Sequence, residues 1–111
     1  MALKAAKLAD EKKALDVIVL DLRKLTNITD YFVVCSGESD TQVRAISGHI
    51  IEQLRKEKVN YFHCEGEQNA VWILIDYSDV VIHIFELETR QYYELERLWG
   101  DGELIYGKLP V

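Results

Sequence analysis

Few residues in this chain have the type and spacing that chemistry requires. Ser36-Gly37 closes an apolar segment just before a helix-like stretch. A helix N-terminus attracts anions, but the spacing of a phosphate-binding glycine loop is missing. The plainer role is a strand-to-helix turn that uses glycine for its backbone freedom. Two-metal catalysis needs carboxylates at i and i+2, so that both reach the same ions from one strand face. Asp76 and Asp79 are three positions apart with a turn between them. His49, His63 and His83 lie on three different segments, and His63 and Cys64, being adjacent on a strand, point to opposite faces. No metal site and no cofactor are expected. Cys35 and Cys64 sit among apolar residues and read as buried free thiols in a reducing compartment.

The elements that would carry these residues alternate in type. The chain has 111 residues, enough for one domain and one core. Residues 2–14 favour a helix, with Leu3, Ala6, Leu8 and Leu15 as a loose apolar stripe. Asp16–Asp21 reads as a strand and Arg23–Thr29 as a turn. Tyr31–Cys35 is almost continuously apolar, the pattern of a strand that lies centrally or is covered on both faces. Ser39 or Asp40 can cap a helix running to about Glu57, whose stripe is Val43, Ile46, Ile50 and Leu54. A short strand over Tyr61–Cys64 ends at Gly66. Glu88–Trp99 reads as a terminal helix with Tyr92, Leu95 and Trp99 on one stripe. Gly100, Gly102, Gly107 and Pro110 mark residues 101–111 as an irregular tail. The prediction is a single compact α/β domain over 1–111, with a mixed sheet and helices mainly on one face.

The clearest signal is a hairpin. Val71–Asp76 and Val80–Phe85 flank Tyr77-Ser78-Asp79. With Ser78 and Asp79 central, Trp72 pairs with Phe85, Ile73 with Ile84, Leu74 with His83, Ile75 with Ile82 and Asp76 with Val81. Opposed residues share a face. One face is therefore all isoleucine, suited to packing under helices. The other carries Trp72, Leu74, Asp76, Val81, His83 and Phe85. Two arrangements fit this second face. Either it is open, with aromatics anchoring and polar groups orienting a partner, or another element covers Trp72 and His83 is hydrogen-bonded in the core.

Composition narrows the partners. There are 19 acidic and 13 basic residues, a formal net charge of −6. Such a surface repels phosphate backbones and suits a basic protein. No apolar run is long enough to span a bilayer. The lysine- and alanine-rich beginning lacks the apolar stretch of a secretory signal. A cytoplasmic location without nucleic-acid or membrane binding is expected.

Several segments together resemble the Iojap-like ribosomal silencing factors. They are Asp30–Gly37, Glu65-Gly66-Glu67, Ala70–Phe85 and Arg90–Trp99, in family order over roughly residues 14–101. The combination of Ala70-x-Trp72, Asp76-x-x-Asp79, His83 and the Tyr93-Glu-Leu-Glu-x-Leu-Trp99 run carries the resemblance. This chain has Ser78 where the family usually has glycine. The resemblance implies a nucleotidyltransferase-like sheet topology without the catalytic carboxylate pair, and no enzyme activity. It implies binding to the large ribosomal subunit through its basic protein L fourteen. Bound there, the protein would block joining of the small subunit and repress translation when nutrients are limiting. By position, the partner-binding residues would be Trp72 and Phe85 as apolar anchors, Tyr77 as a rim aromatic, Asp76 as a polar partner, and His83. A dimeric adaptor, pairing through its own open face, and a nucleotide-binding enzyme using Ser36, Gly37 and Asp76 are the competing expectations.

Overall fold

The computed structural model describes residues 1–109. Its elements in chain order are α1 (Ala2–Glu11), β1 (Leu15–Asp21), β2 (Tyr31–Gly37), α2 (Asp40–Lys56), β3 (His63–Glu65), β4 (Trp72–Asp76), β5 (Val80–Glu86), α3 (Leu87–Tyr93), α4 (Leu95–Leu98) and β6 (Glu103–Tyr106). The six strands form one sheet in the order β3-β4-β5-β2-β1-β6. Only β2 and β5 run parallel; the other neighbours are antiparallel. This is the mixed α/β sheet that the element order predicts.

The apolar run of β2 is explained by its central place. Val33 and Cys35 belong to one core and Val34 to the other, all fully buried. The helix α2 begins where its cap dictates: Ser39 accepts a hydrogen bond from the Gln42 N–H at 3.2 Å. Arg55 and Lys56 end it, cations against the carbonyl end of the helix dipole. Val43, Ile46, Ile50 and Leu54 are all buried, the predicted stripe. With α1 they cover the isoleucine face of the sheet, including Ile73, Ile75, Ile82 and Ile84.

Helix α1 differs in detail from expectation. Its buried residues are Ala2, Ala5, Ala6, Leu8 and Ala9, while Leu3 faces solvent and Leu15 lies in β1. Alanines let the helix approach its neighbours closely, so the tight contact falls on the small side chains rather than on the leucines. The helix stops at Glu11, just before Lys13 takes a left-handed φ of 60°.

The C-terminal region needs two corrections. The predicted 88–99 helix is broken at Glu94, which adopts a left-handed conformation with φ 47° and ψ 47°. The break turns the chain, so Tyr92 is 82% exposed while Leu95 is buried. The expected irregular tail contains a strand: β6 pairs with β1, Leu104 opposite Leu20 and Tyr106 opposite Val19. Tyr106 donates its phenolic hydrogen to Asp10 on α1. Gly107 makes this edge possible. Its φ is 77°, and a Cβ there would lie 1.9 Å from the Val17 carbonyl oxygen. The tail's glycines thus serve close pairing rather than disorder. Pro110, also taken as a sign of an irregular tail, lies outside the described residues.

Candidate docking face

The hairpin has the predicted register at every pair from Trp72↔Phe85 to Asp76↔Val81. The Tyr77 N–H donates to the Val80 carbonyl at 2.9 Å, closing a two-residue loop. The Asp79 N–H also reaches the Tyr77 carbonyl at 3.0 Å across Ser78, whose φ is 75°. This is a γ-turn in the left-handed region, where glycine would carry less strain. Asp76 offsets part of that strain: its Oδ1 accepts the Ser78 N–H at 2.7 Å.

Trp72, Leu74, Asp76, Val81, His83 and Phe85 do share one face, but that face is half covered. The short helices α3 and α4 fold back over it. Leu95 joins Ile18, Leu20, Leu22, Val34 and Phe85 in a second core, with Phe32, Trp72 and Trp99 at its margin. The two arrangements left open by the sequence therefore coexist on one surface. Leu74, Asp76 and Val81 remain half-exposed at the uncovered end.

Each candidate residue has its own environment. Trp72 is half-buried, its ring 4.8 Å from Phe85 and 4.9 Å from Tyr93. Its indole N–H donates to His83 Nδ1 at 3.1 Å. A ring nitrogen that accepts leaves the imidazole proton on Nε2, and Nε2 is buried with no partner. Phe32 meets the His83 ring edge-on at 4.6 Å. Burial pushes the His83 pKa down to about 3, holding the ring neutral. His83 is thus a core residue that fixes the tryptophan. Phe85 is fully buried, so the expectation of an exposed anchor there is corrected. It lies under Trp72, shielded by the C-terminal helices.

Tyr77 is also corrected from rim to interior. It lies on the isoleucine side, 8% exposed, edge-on to Tyr61 at 6.5 Å. Its hydroxyl has no partner, and burial raises its pKa to about 12. The turn does not carry Tyr77 outward because Tyr77 directly follows β4 and stays in phase with Ile73 and Ile75.

Other exposed apolar residues surround the uncovered half, and no single motif announces them. Ile28 and Phe62, 81% and 79% exposed, flank Asp76 and Val81 in a shallow cleft of about 210 Å³. Val71, Tyr92, Tyr93 and Leu98 are exposed along the helical side. Ile28 lies in a turn-like stretch, and Phe62 falls just before β3, outside a strand that proves shorter at its start than the expected Tyr61–Cys64, so neither belongs to a periodic pattern.

The residues considered for catalysis are engaged otherwise. Ser36 is fully buried, and its hydroxyl accepts from Arg90 Nη1 at 3.0 Å. The same guanidinium donates to the Asp16 carbonyl at 2.8 Å and pairs with Glu96 at 3.2 Å. Arg90 is 2% exposed, a buried cation that the apolar stripe of its helix does not mark. Among the described residues no group of three or more His, Cys, Asp or Glu is placed to hold a metal ion. Cys35 is buried and Cys64 only half-buried; both are free thiols, with pKa raised to about 12 chiefly by desolvation. No helix among the described residues is long and apolar enough to cross a membrane.

Comparison with known proteins agrees with this architecture. The family model described as "Ribosomal silencing factor during starvation" matches residues 1–110. The ribosomal silencing factor of Bacillus subtilis is 42% identical over 100 residues, covering 90% of this chain and 85% of the relative. A mouse protein named for mitochondrial assembly of the ribosomal large subunit is 33% identical over 92 residues, 80% of this chain and 40% of that longer protein. A crystal structure of a protein from Chromobacterium violaceum superposes with a TM-score of 0.87 at 32% identity, covering 99% of this chain and 88% of the other. In sequence over nearly its whole length, and in backbone, this chain belongs to the ribosomal silencing factor family.

Proposed function

We propose that this chain silences translation by docking on the large ribosomal subunit, through the basic protein L fourteen, and sterically blocking the small subunit. The observation that carries the proposal is the half-covered hairpin face, where Trp72 and Asp76 stay accessible over a fully packed support. The names of its relatives support a ribosomal role, and that of the mouse relative a large-subunit one. The net charge of −6 favours a basic partner.

The roles divide by burial. Trp72 and Asp76 make contact, joined by Leu74, Val81, Phe62 and Ile28. His83 and Phe85 hold Trp72 in place from beneath, and Tyr77 stiffens the hairpin from the other side. The activity is binding without turnover: the Ser36 hydroxyl is held by Arg90, and Asp76 is committed to the turn. The protein would act in the cytoplasm. In its free state the same face is available to a second copy of the chain, and mass measurement at micromolar concentration tests that pairing.

Two substitutions test the docking face. Trp72→Ala should weaken large-subunit binding roughly thirtyfold, the effect of losing an anchor worth ~2 kcal/mol. It also removes packing from Phe85 and Tyr93, so co-sedimentation is compared at matched folded concentration. Ile75→Ala, on the opposite fully buried face, should cost about 2–5 kcal/mol of stability yet leave binding per folded molecule unchanged. Unweakened binding by folded Trp72→Ala protein would overturn the assignment.

A further inference from the structure

Beside Trp72 lies a second feature that docking alone does not explain. A cleft of about 450 Å³ is walled by Trp72, Tyr92 and Tyr93 and edged by the carboxylates of Glu86 and Glu88. The rings meet at steep angles. Trp72 and Tyr93 are tilted by 48° at 4.9 Å, and Tyr93 and Tyr92 by 84° at 5.1 Å. Tyr92 and Tyr93 are 82% and 49% exposed. Glu86 is oriented by the Glu88 N–H at 3.3 Å and the Thr89 hydroxyl at 3.4 Å. Among the described residues neither Glu86 nor Glu88 forms an ion pair. The nearby cations are already committed: Arg90 to Glu96 and Arg97 to Glu94.

From this arrangement we propose that the cleft is an aromatic cage for an arginine side chain presented by the docked protein partner. The inference rests on the reading that the mixed face docks a protein. Ring faces are negative and attract a cation, and two unpaired carboxylates at the rim reinforce the same sign. An anion is excluded by those carboxylates. Guanidinium fits better than ammonium because it stacks flat on a ring while its in-plane N–H groups reach a carboxylate. The cleft is open along Tyr92, which suits a side chain carried in on another protein's surface. Trp72 then serves both the apolar contact and the cage, so docking and arginine capture share one residue.

The test uses the full chain and two small probes. N-acetyl-arginine amide carries the guanidinium, and N-acetyl-citrulline amide is its uncharged near-isostere. Titration at millimolar concentration is followed by 15N NMR. The arginine probe should give saturable shifts at the Trp72 indole N–H and along residues 86–93, and citrulline should give none. Tyr92→Ala and Glu88→Gln, both at exposed positions, should keep the fold and each weaken the response about fivefold, the worth of one exposed cation contact. Absence of a saturable response overturns the cage, as does an equal response to citrulline or in Glu88→Gln. Co-sedimentation of Trp72→Ala with large subunits separates the two claims. An arginine response in the wild type with undiminished subunit binding in Trp72→Ala leaves an arginine-binding cleft but overturns its role in docking, together with the docking reading. No arginine response removes the cage whatever the subunit assay gives.

Discussion

Acidification should destabilise this domain through His83, and the size of the effect follows from its burial. The ring is buried and neutral, with its pKa pushed down to about 3 by desolvation. In the unfolded chain the same ring titrates near its ordinary value of about 6.5. Between those two values the unfolded state binds a proton that the folded state refuses. Stability therefore rises with pH across this window. The contribution is fully present above about pH 6.5 and is lost progressively as pH falls toward about 3. From about pH 7.5 to about pH 5 the loss from this one residue is ~2 kcal/mol. His83→Asn places an amide oxygen where Nδ1 accepts from Trp72 but cannot titrate. Urea unfolding of both proteins over this range should show the wild type losing ~2 kcal/mol more than the variant. His49 and His63 are common to both and cancel in the difference. Parallel stability curves would refute the buried neutral histidine.

Other outcomes follow from the same geometry. Arg90→Ala leaves the Glu96 carboxylate, 13% exposed in its side chain, without its partner, and should cost ~3–5 kcal/mol in denaturant unfolding; a loss below about 1 kcal/mol would show that the pair is not structural. Gly107→Ala drives a Cβ into the Val17 carbonyl and should speed amide exchange over Glu103–Tyr106. Gly48→Ala, an exposed helical position with open space around its Cβ, should instead stabilise by about 1 kcal/mol. Incubation with nucleoside triphosphates and magnesium should yield no product, and turnover abolished by Asp76→Ala would contradict the binding role.

The hairpin was legible because alternation and a short turn together determine register: Ile73, Ile75, Ile82 and Ile84 could only be buried together. The α2 stripe and the central place of β2 were legible for the same reason, since each depends on a local period. What escaped depends on the path of the chain after β5. One left-handed residue, Glu94, breaks the terminal helix and folds Leu95 and Trp99 over half the mixed face. Nothing local in Tyr93-Glu94-Leu95 marks that break. Phe85 is consequently buried although its alternation matches that of the half-exposed Trp72. Tyr77 was read as a turn residue, but its parity with Ile75 already placed it on the buried side. The strand β6 was hidden because glycines that signal irregular chain also permit the close pairing of Gly107 with Val17.

The central claim, that this face blocks subunit joining, is tested most directly by order of addition. The protein is mixed with large subunits before or after small subunits are added, and joined particles are resolved by sedimentation. The account predicts fewer joined particles when the protein is added first and little change when it is added last. It also predicts that Trp72→Ala protein, at equal folded concentration, loses the early effect. Equal inhibition in both orders, or full early inhibition by Trp72→Ala, would contradict it.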